Sequence, residues 1–303
     1  MCIVVEDCRL STVAIIGLPN SGKSTLLNAL IGEKLAAVSQ VPQTTRGKIL
    51  GVLNQGSVQL AFLDTPGVHV ARHILNKRML HHIDMALDEA DLVLWVVDAS
   101  GFFGQGEREL AKRLNSIRHP VYLILNKVDI ISSSSLLKKI VVYKDLLAFR
   151  EVVPVSAKVG HNLGLLLELL ERDAKHGEWL YESSVFTNQT EREMATEFIR
   201  EKVLRKTREE VPHGVAVEIS SWVDGVSDGS LTEHTVIEAE VIVERVGHRK
   251  ILLGSGGATI SSIRQSSQRE LKKMLQRPVR LELHIKVKEN WRDLPDQLDK
   301  LCL

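Results

Sequence analysis

Gly17-Leu18-Pro19-Asn20-Ser21-Gly22-Lys23-Ser24 sets a lysine and a hydroxyl directly after the second of two glycines, the parts needed to hold a polyphosphate. Glycines let backbone N–H groups turn inward around phosphate oxygens, and a helix opening at the lysine adds its positive end. In this pattern Lys23 neutralises the β- and γ-phosphates, the Ser24 hydroxyl ligates Mg²⁺, and Thr25 carries the run into the helix. The run follows an apolar strand and precedes a helix, a context that an accidental glycine turn does not supply.

Asp64-Thr65-Pro66-Gly67 ends another apolar run. Alone it is a common turn. Behind a phosphate loop, Asp64 can hold a magnesium-bound water, and the Gly67 backbone can touch the γ-phosphate and sense its loss. Gln43-Thr44-Thr45-Arg46 lies between the two. It is either a polar loop or an ordering segment that brings Thr45 to Mg²⁺ only in the triphosphate state. Asn126-Lys127-Val128-Asp129 follows a third apolar run, and a carboxylate there accepts from both N1–H and the 2-amino group of guanine. Adenine offers neither donor, so a site built this way discriminates by about 10⁴ or more. Ser156-Ala157-Lys158 ends the next run, where a backbone N–H reaches for the guanine oxygen. Together these point to a GTP-hydrolysing switch whose catalytic candidates are Asn20, Lys23, Thr45, Asp64 and Gly67. Val68 stands where many such enzymes carry a water-positioning glutamine, so unaided hydrolysis is expected to be slow. His69 is nearby, a catalytic group or a solvated bystander.

These motifs need strands to position them. Strands are expected at 12–17, 48–54, 57–64, 92–98, 121–126 and 152–156, with helices at 24–31, 73–89, 106–117, 136–149 and 163–172 between them. Ser132–Ser135 reads as a solvated loop. Alternation of this kind predicts an α/β phosphate-loop domain, a mostly parallel sheet with helices on both faces, whose functional loops gather at the strands' carboxyl ends. The chain of 303 residues has room for a second domain. A polar stretch leads to domain limits of 1–178, a linker at 179–190, and 191–303 with a C-terminal tail.

Net charge is +1, with 44% hydrophobic and 25% charged residues, so the overall balance selects no partner. Cys2, Cys8 and Cys302 stand near the termini without metal-ligand spacing and read as reduced thiols. The start shows no signal or transit peptide, and no run approaches the roughly 18 apolar residues of a membrane span. A cytoplasmic location is expected.

In the second part the expected order is helix (191–210), strand (215–222), strand (233–245), glycine loop, helix (260–276), strand (279–288). Gly254-Ser255-Gly256-Gly257 is a Gly-x-x-Gly loop. By itself it fits a helix-opening turn as well as a loop pressed on a nucleic-acid backbone. Charge favours the second: residues 209–244 carry nine acidic residues and no Lys or Arg, whereas residues 245–288 carry eleven basic residues against two acidic ones. Such segregation predicts an RNA or DNA footprint including Arg249, Lys250, Arg264, Lys272 and Lys273. The element order suits an α+β, type II KH domain that grips four nucleotides of single-stranded RNA. The rival reading is a GTP-dependent membrane or metabolic regulator whose second domain binds protein.

Over nearly its whole length the chain resembles the Era family, bacterial GTPases of small-subunit ribosome assembly. The match is carried by residues 17–25, 43–46, 64–67 and 126–129, by Glu197-Phe198-Ile199-Arg200-Glu201-Lys202, by residues 251–260, and by Val287-Lys288-Glu289-Asn290-Trp291-Arg292-Asp293. The resemblance implies a KH domain on the 3′ end of small-subunit ribosomal RNA, binding favoured by GTP, and a monomeric switch in loose association with the inner membrane. It also implies Asn20 as a candidate ligand for an activating K⁺. Family members usually carry a lysine where this chain has Ser255, so the resemblance does not fix how firmly the loop holds phosphate.

Overall fold

Strands covered on both faces read as unbroken apolar runs. In the computed structural model, which describes residues 8–68, 73–207, 211, 214–226 and 233–301, Leu92–Val97 and Val121–Asn126 are buried throughout. The first unit comprises β1 (Arg9–Ile16), α1 (Lys23–Ile31), β2 (Ile49–Gln55), β3 (Val58–Asp64), α2 (Ile74–Glu89), β4 (Leu92–Asp98), α3 (Gln105–Leu114), β5 (Val121–Asn126), α4 (Ser133–Lys144), β6 (Glu151–Pro154), α5 (Leu163–Asp173) and β7 (Lys175–His176). Its sheet runs β2-β3-β1-β4-β5-β6, with β7 added to β1. β2 pairs antiparallel with β3, and the pairs from β3 through β6 are parallel. Register sets Ile15 beside Asp64 and Asp98 beside Asn126, so the loops after these strands open along one edge.

Two expectations need correction. α4 begins at Ser133 rather than 136, because Ser132 caps it: its Oγ accepts from the Ser135 N–H at 3.3 Å. The serine run is thus a helix start, not a loop. α4 also ends at Lys144, and Leu147 and Phe149 beyond it turn back onto the core, Phe149 with its ring centroid 5.9 Å from that of Trp95. Residues 179–187 run beside β2 and β3. Gln59 Oε1 accepts from the N–H groups of Leu180 and Tyr181, and the Val52 N–H donates to the Phe186 carbonyl.

The second unit gathers Gln189–Leu303 with Ala37–Thr44 and His73–Leu75. It contains α6 (Glu191–Lys206), β8 (Ala216–Val226), β9 (His234–Val243), α7 (Val246–Leu253), α8 (Ala258–Leu275), β10 (Val279–Val287) and α9 (Pro295–Lys300). Thr190 and Glu193 form a reciprocal capping box that starts α6. β9 sits between antiparallel β8 and parallel β10, and Ile199, Val203, Ile263 and Leu271 pack on the sheet. α7 is absent from the sequence-based order. Gly247 and the exposed Val246, Ile251 and Leu253 break the apolar periodicity that would reveal it. The C-terminal motif is structural: Trp291 is buried with its Nε1 donating to the Gly214 carbonyl, and Arg292 holds Glu244 at 2.6 and 2.9 Å.

Candidate nucleotide site and nucleic-acid interface

β1 ends at Ile16 and the phosphate loop turns over residues 17–22, with Gly22 at φ 98° preceding α1. Lys23 is buried, and its Nζ donates to the carbonyls of Gly17 (3.1 Å) and Leu18 (3.0 Å). The Ser24 hydroxyl lies 2.7 Å from Thr45 Oγ1 and donates to Asp64 Oδ2 at 2.7 Å. Thr45 Oγ1 is 3.5 Å from the same carboxylate oxygen. Sequence positions 24, 45 and 64 are therefore brought together at one point. Burial pushes the Asp64 carboxyl up to about 6 and the Lys23 ammonium down to about 8, each partly opposed by the other's charge. Asp64 Oδ1 and the Ser21 hydroxyl are buried with no hydrogen-bond partner among the described residues. Two hydroxyls, a carboxylate with an orphaned oxygen and a lysine fit a hard cation beside phosphate.

Thr65 is buried, its hydroxyl donating to the Ile15 carbonyl, and Pro66 is buried beside it. Gly67 lies against Pro19, where a Cβ would come within 2.8 Å of backbone atoms, so no larger residue fits without displacing the phosphate loop. The Val68 N–H donates to the Gly17 carbonyl, and its side chain packs on the apolar core. His69 lies outside the described residues, as do Cys2 and Cys302.

At the base end, Asn126 joins two loops: its Nδ2 donates to the Ser21 carbonyl (2.9 Å), and its Oδ1 accepts from the Ala157 N–H (3.0 Å). Lys127, at φ 66°, donates to the Asn20 carbonyl (2.7 Å) and to Asp98 (2.6 Å). Val128 packs on the core, while Asp129 is exposed and accepts from the Ser156 hydroxyl at 2.6 Å. The Ser156 and Ala157 N–H groups are both engaged within the chain, which leaves the exposed Lys158 to offer the tripeptide's remaining N–H. Asn20 is exposed at φ 63°. Asp98 escaped sequence reading. Lys127 holds its carboxyl below the ordinary range against the opposing effect of burial.

In the second unit, Gly254–Gly257 joins α7 to α8 with Gly256 at φ 56° and Gly257 at φ 79°. α8 has no side-chain cap; the Ala258 N–H that opens it donates to the carbonyl of the exposed Ser255, and the Gly257 N–H to that of Gly254. Arg249 and Lys250 are exposed on α7 next to Ile251 and Leu253, which are 52% and 38% exposed. Arg264 is half-buried two turns into α8, its guanidinium turned toward Gln268. Lys272 and Lys273 are exposed near the far end of α8, about 20 Å along the helix from the loop.

The charge argument needs correction. β10, β9 and β8 lie in that order in one sheet, so the basic edge strand has acidic β9 beside it and β8 beyond. Lys286 pairs with Glu240, Lys288 with Glu218, Arg277 with Glu191 and Asp224, and Arg280 with Glu282. Four of the eleven cations in residues 245–288 are thereby offset. The remaining footprint belongs to α7 and α8.

Comparison with known proteins gives the family. Residues 12–127 match the model of a 50S ribosome-binding GTPase, and residues 210–292 that of a KH domain. GTPase Era of Heliobacterium modesticaldum is 43% identical over 294 residues, covering 97% of each chain. GTPase Era of Geobacter metallireducens is 41% identical with the same coverage. A crystal structure of Era in complex with MgGDPNP and nucleotides 1506–1542 of 16S ribosomal RNA superposes with a TM-score of 0.91 at 34% identity, over 97% of this chain and 98% of that one. A point variant of Aquifex aeolicus Era bound to GDP·AlF4⁻ gives 0.90 at 35%, again over 97% of this chain and 98% of that one. With both domains aligned and almost nothing left over on either side, this chain is a GTPase and belongs to the Era family.

Proposed function

We propose that this GTPase binds the 3′ region of small-subunit ribosomal RNA through its KH domain and acts in small-subunit assembly. The glycine loop carries the reading. Two consecutive glycines in the left-handed region leave the approach to the start of α8 clear of side chains near exposed Arg249 and Lys250, with Ile251 and Leu253 open to splayed bases. The Era crystallised with nucleotides 1506–1542 of 16S ribosomal RNA supports the choice of RNA. Residues 1–178 would form the GTPase domain, 179–190 a connection, and 191–303 the RNA-binding domain.

In the nucleotide site, Ser24 and Thr45 would hold Mg²⁺, with Asp64 behind them. The ion would supply charge neutralisation at the β- and γ-phosphates when bound. Lys23 adds the fixed cation, Gly67 offers its backbone to the γ-phosphate, and Asp129 reads guanine. Because the Val68 side chain is packed on the core, Val68→Ala is expected to keep single-turnover hydrolysis within about threefold of wild type. A tenfold loss in a folded variant would show the side chain taking part.

Asn20, exposed on the phosphate loop, is the ligand we assign to an activating K⁺. Exchanging K⁺ for Na⁺ should slow wild-type hydrolysis several-fold, and Asn20→Ala should erase the difference; equal cation dependence in both proteins would remove the assignment. No described helix is long and apolar enough to cross a membrane. We place the protein in the cytoplasm as a monomer, in peripheral contact with the inner membrane.

The test is binding of GTP-loaded protein to RNA matching the 3′ end of small-subunit ribosomal RNA, at two salt concentrations. Salt-sensitive binding above that of scrambled RNA is expected. Equal, salt-insensitive retention of both would favour a protein-binding second domain.

A further inference from the structure

We infer that the cleft between α6 and α8 is a second phosphate-binding site, apart from the glycine loop, which takes the backbone of a strand that the loop has engaged. Lys202, Arg205 and Lys206 on α6 and Ser266, Arg269 and Glu270 on α8 line an open cavity of about 370 Å³. Each set has i, i+3, i+4 spacing, so each helix turns one continuous stripe toward the cleft. Four cations face one carboxylate across a volume in the range of small-ligand pockets.

The charges divide into two layers. Glu201, fully buried, lies 3.0 Å from Lys202 Nζ and 3.1 Å from Arg205. Lys202 also reaches Glu270 at 2.8 Å, and Arg205 donates to the carbonyl of Val38 in the same compact unit. That inner layer is internally balanced and holds the walls in place. Lys206 and Arg269 form the outer layer. Both are exposed, and neither forms an ion pair among the described residues; the Arg269 Nε donates only to the Gln265 carbonyl in its own helix. Two cations left unbalanced at the mouth of a rigid cleft favour an incoming anion, and a guanidinium can grip phosphate through two parallel hydrogen bonds. Glu270 repels an incoming anion less than it would if free, because Lys202 already holds it.

Position argues for a strand. Ser266 and Arg269 follow Gly257 on the same helix by 9 and 12 residues, which places them about 14 and 18 Å along its axis. A strand clamped at the glycine loop spans that distance with a few nucleotides, beyond the four that a KH groove grips. The site rests on the RNA-binding reading for its natural occupant. Its chemistry is the phosphate group, which a free diphosphate also presents.

The experiment compares wild type with Lys206→Ala/Arg269→Ala and with Lys206→Glu/Arg269→Glu. Three probes are used: a 6-nucleotide single-stranded RNA, a 16-nucleotide RNA containing it, and inorganic diphosphate, the last by calorimetry. Melting curves establish folding. The alanine variant should bind the long RNA about tenfold more weakly, with a salt slope shallower by up to about 1.4, while the short RNA is unaffected. Charge reversal should deepen the loss. Loss of diphosphate binding alone upholds the site and assigns it to a free ligand. Wild-type binding of the long RNA and diphosphate by folded charge-reversal protein would overturn it. Failure of wild type to bind either RNA would instead count against the RNA reading, and the diphosphate measurement would still decide the cleft.

Discussion

Asp129→Asn should lower affinity for GTP by about 10³-fold or more and give affinity to xanthosine triphosphate in its place. Asp129 stands just beyond the carboxyl end of β5, exposed to an incoming base. The Ser156 hydroxyl, itself buried, donates to one of its oxygens at 2.6 Å and fixes the plane of the carboxylate. A carboxylate so held accepts from two adjacent guanine donors. An amide keeps one acceptor but turns a donor toward the 2-amino group, leaving two donors face to face. Sites that read a base through such pairing reject the mismatched partner by about 10⁴–10⁵-fold. Xanthine carries an oxygen where guanine carries the amine, so the same amide restores both bonds. Equilibrium affinities of wild type and variant for the two triphosphates decide the matter. Unchanged GTP affinity would show that Asp129 does not read the base.

The motif positions were legible because each is contiguous. Residues 17–24 make a turn whose backbone shape is local, and the strand before it and helix after it are read from the same few residues. What sequence could not show depends on register. Asp98 belongs to the site only because β4 and β5 pair Asp98 with Asn126, which brings Lys127 within 2.6 Å of its carboxylate. The basic block after residue 245 reads as unopposed along the sequence, whereas β9 lies beside β10 and sets Glu240 against Lys286. α7 was missed for a different reason. Its apolar residues serve a surface, so they do not repeat as a core-facing helix would. A helix that fails the amphipathic pattern next to a glycine loop is itself a sign of an interface.

Gly256→Asp combined with Gly257→Asp should reduce RNA affinity by at least about 100-fold while GTP hydrolysis stays near wild type. Both glycines have positive φ, 56° and 79°, and an added Cβ at either would meet no atom within 4 Å. Aspartate is among the residues that tolerate this backbone region, and a carboxylate at the start of α8 interacts favourably with the helix dipole. The variant is therefore expected to fold but to melt below wild type, because two side chains at positive φ cost about 1–2 kcal/mol each, less for aspartate than for most residues. The same carboxylates occupy the place a phosphate would take and repel it, so close approach and attraction are lost together. The residues assigned to the nucleotide lie in the first unit, so hydrolysis reports that the rest of the molecule is intact. Lys272→Ala with Lys273→Ala serves as the comparison. These lysines sit about 20 Å from the loop and should weaken binding only modestly, each lowering the salt slope by up to about one unit if it meets a phosphate. RNA affinity of the GTP-bound double aspartate variant, measured beside its melting curve, is the deciding quantity. Full affinity in a folded protein would reduce Gly254–Gly257 to a helix-opening turn and move the RNA surface elsewhere on the second unit.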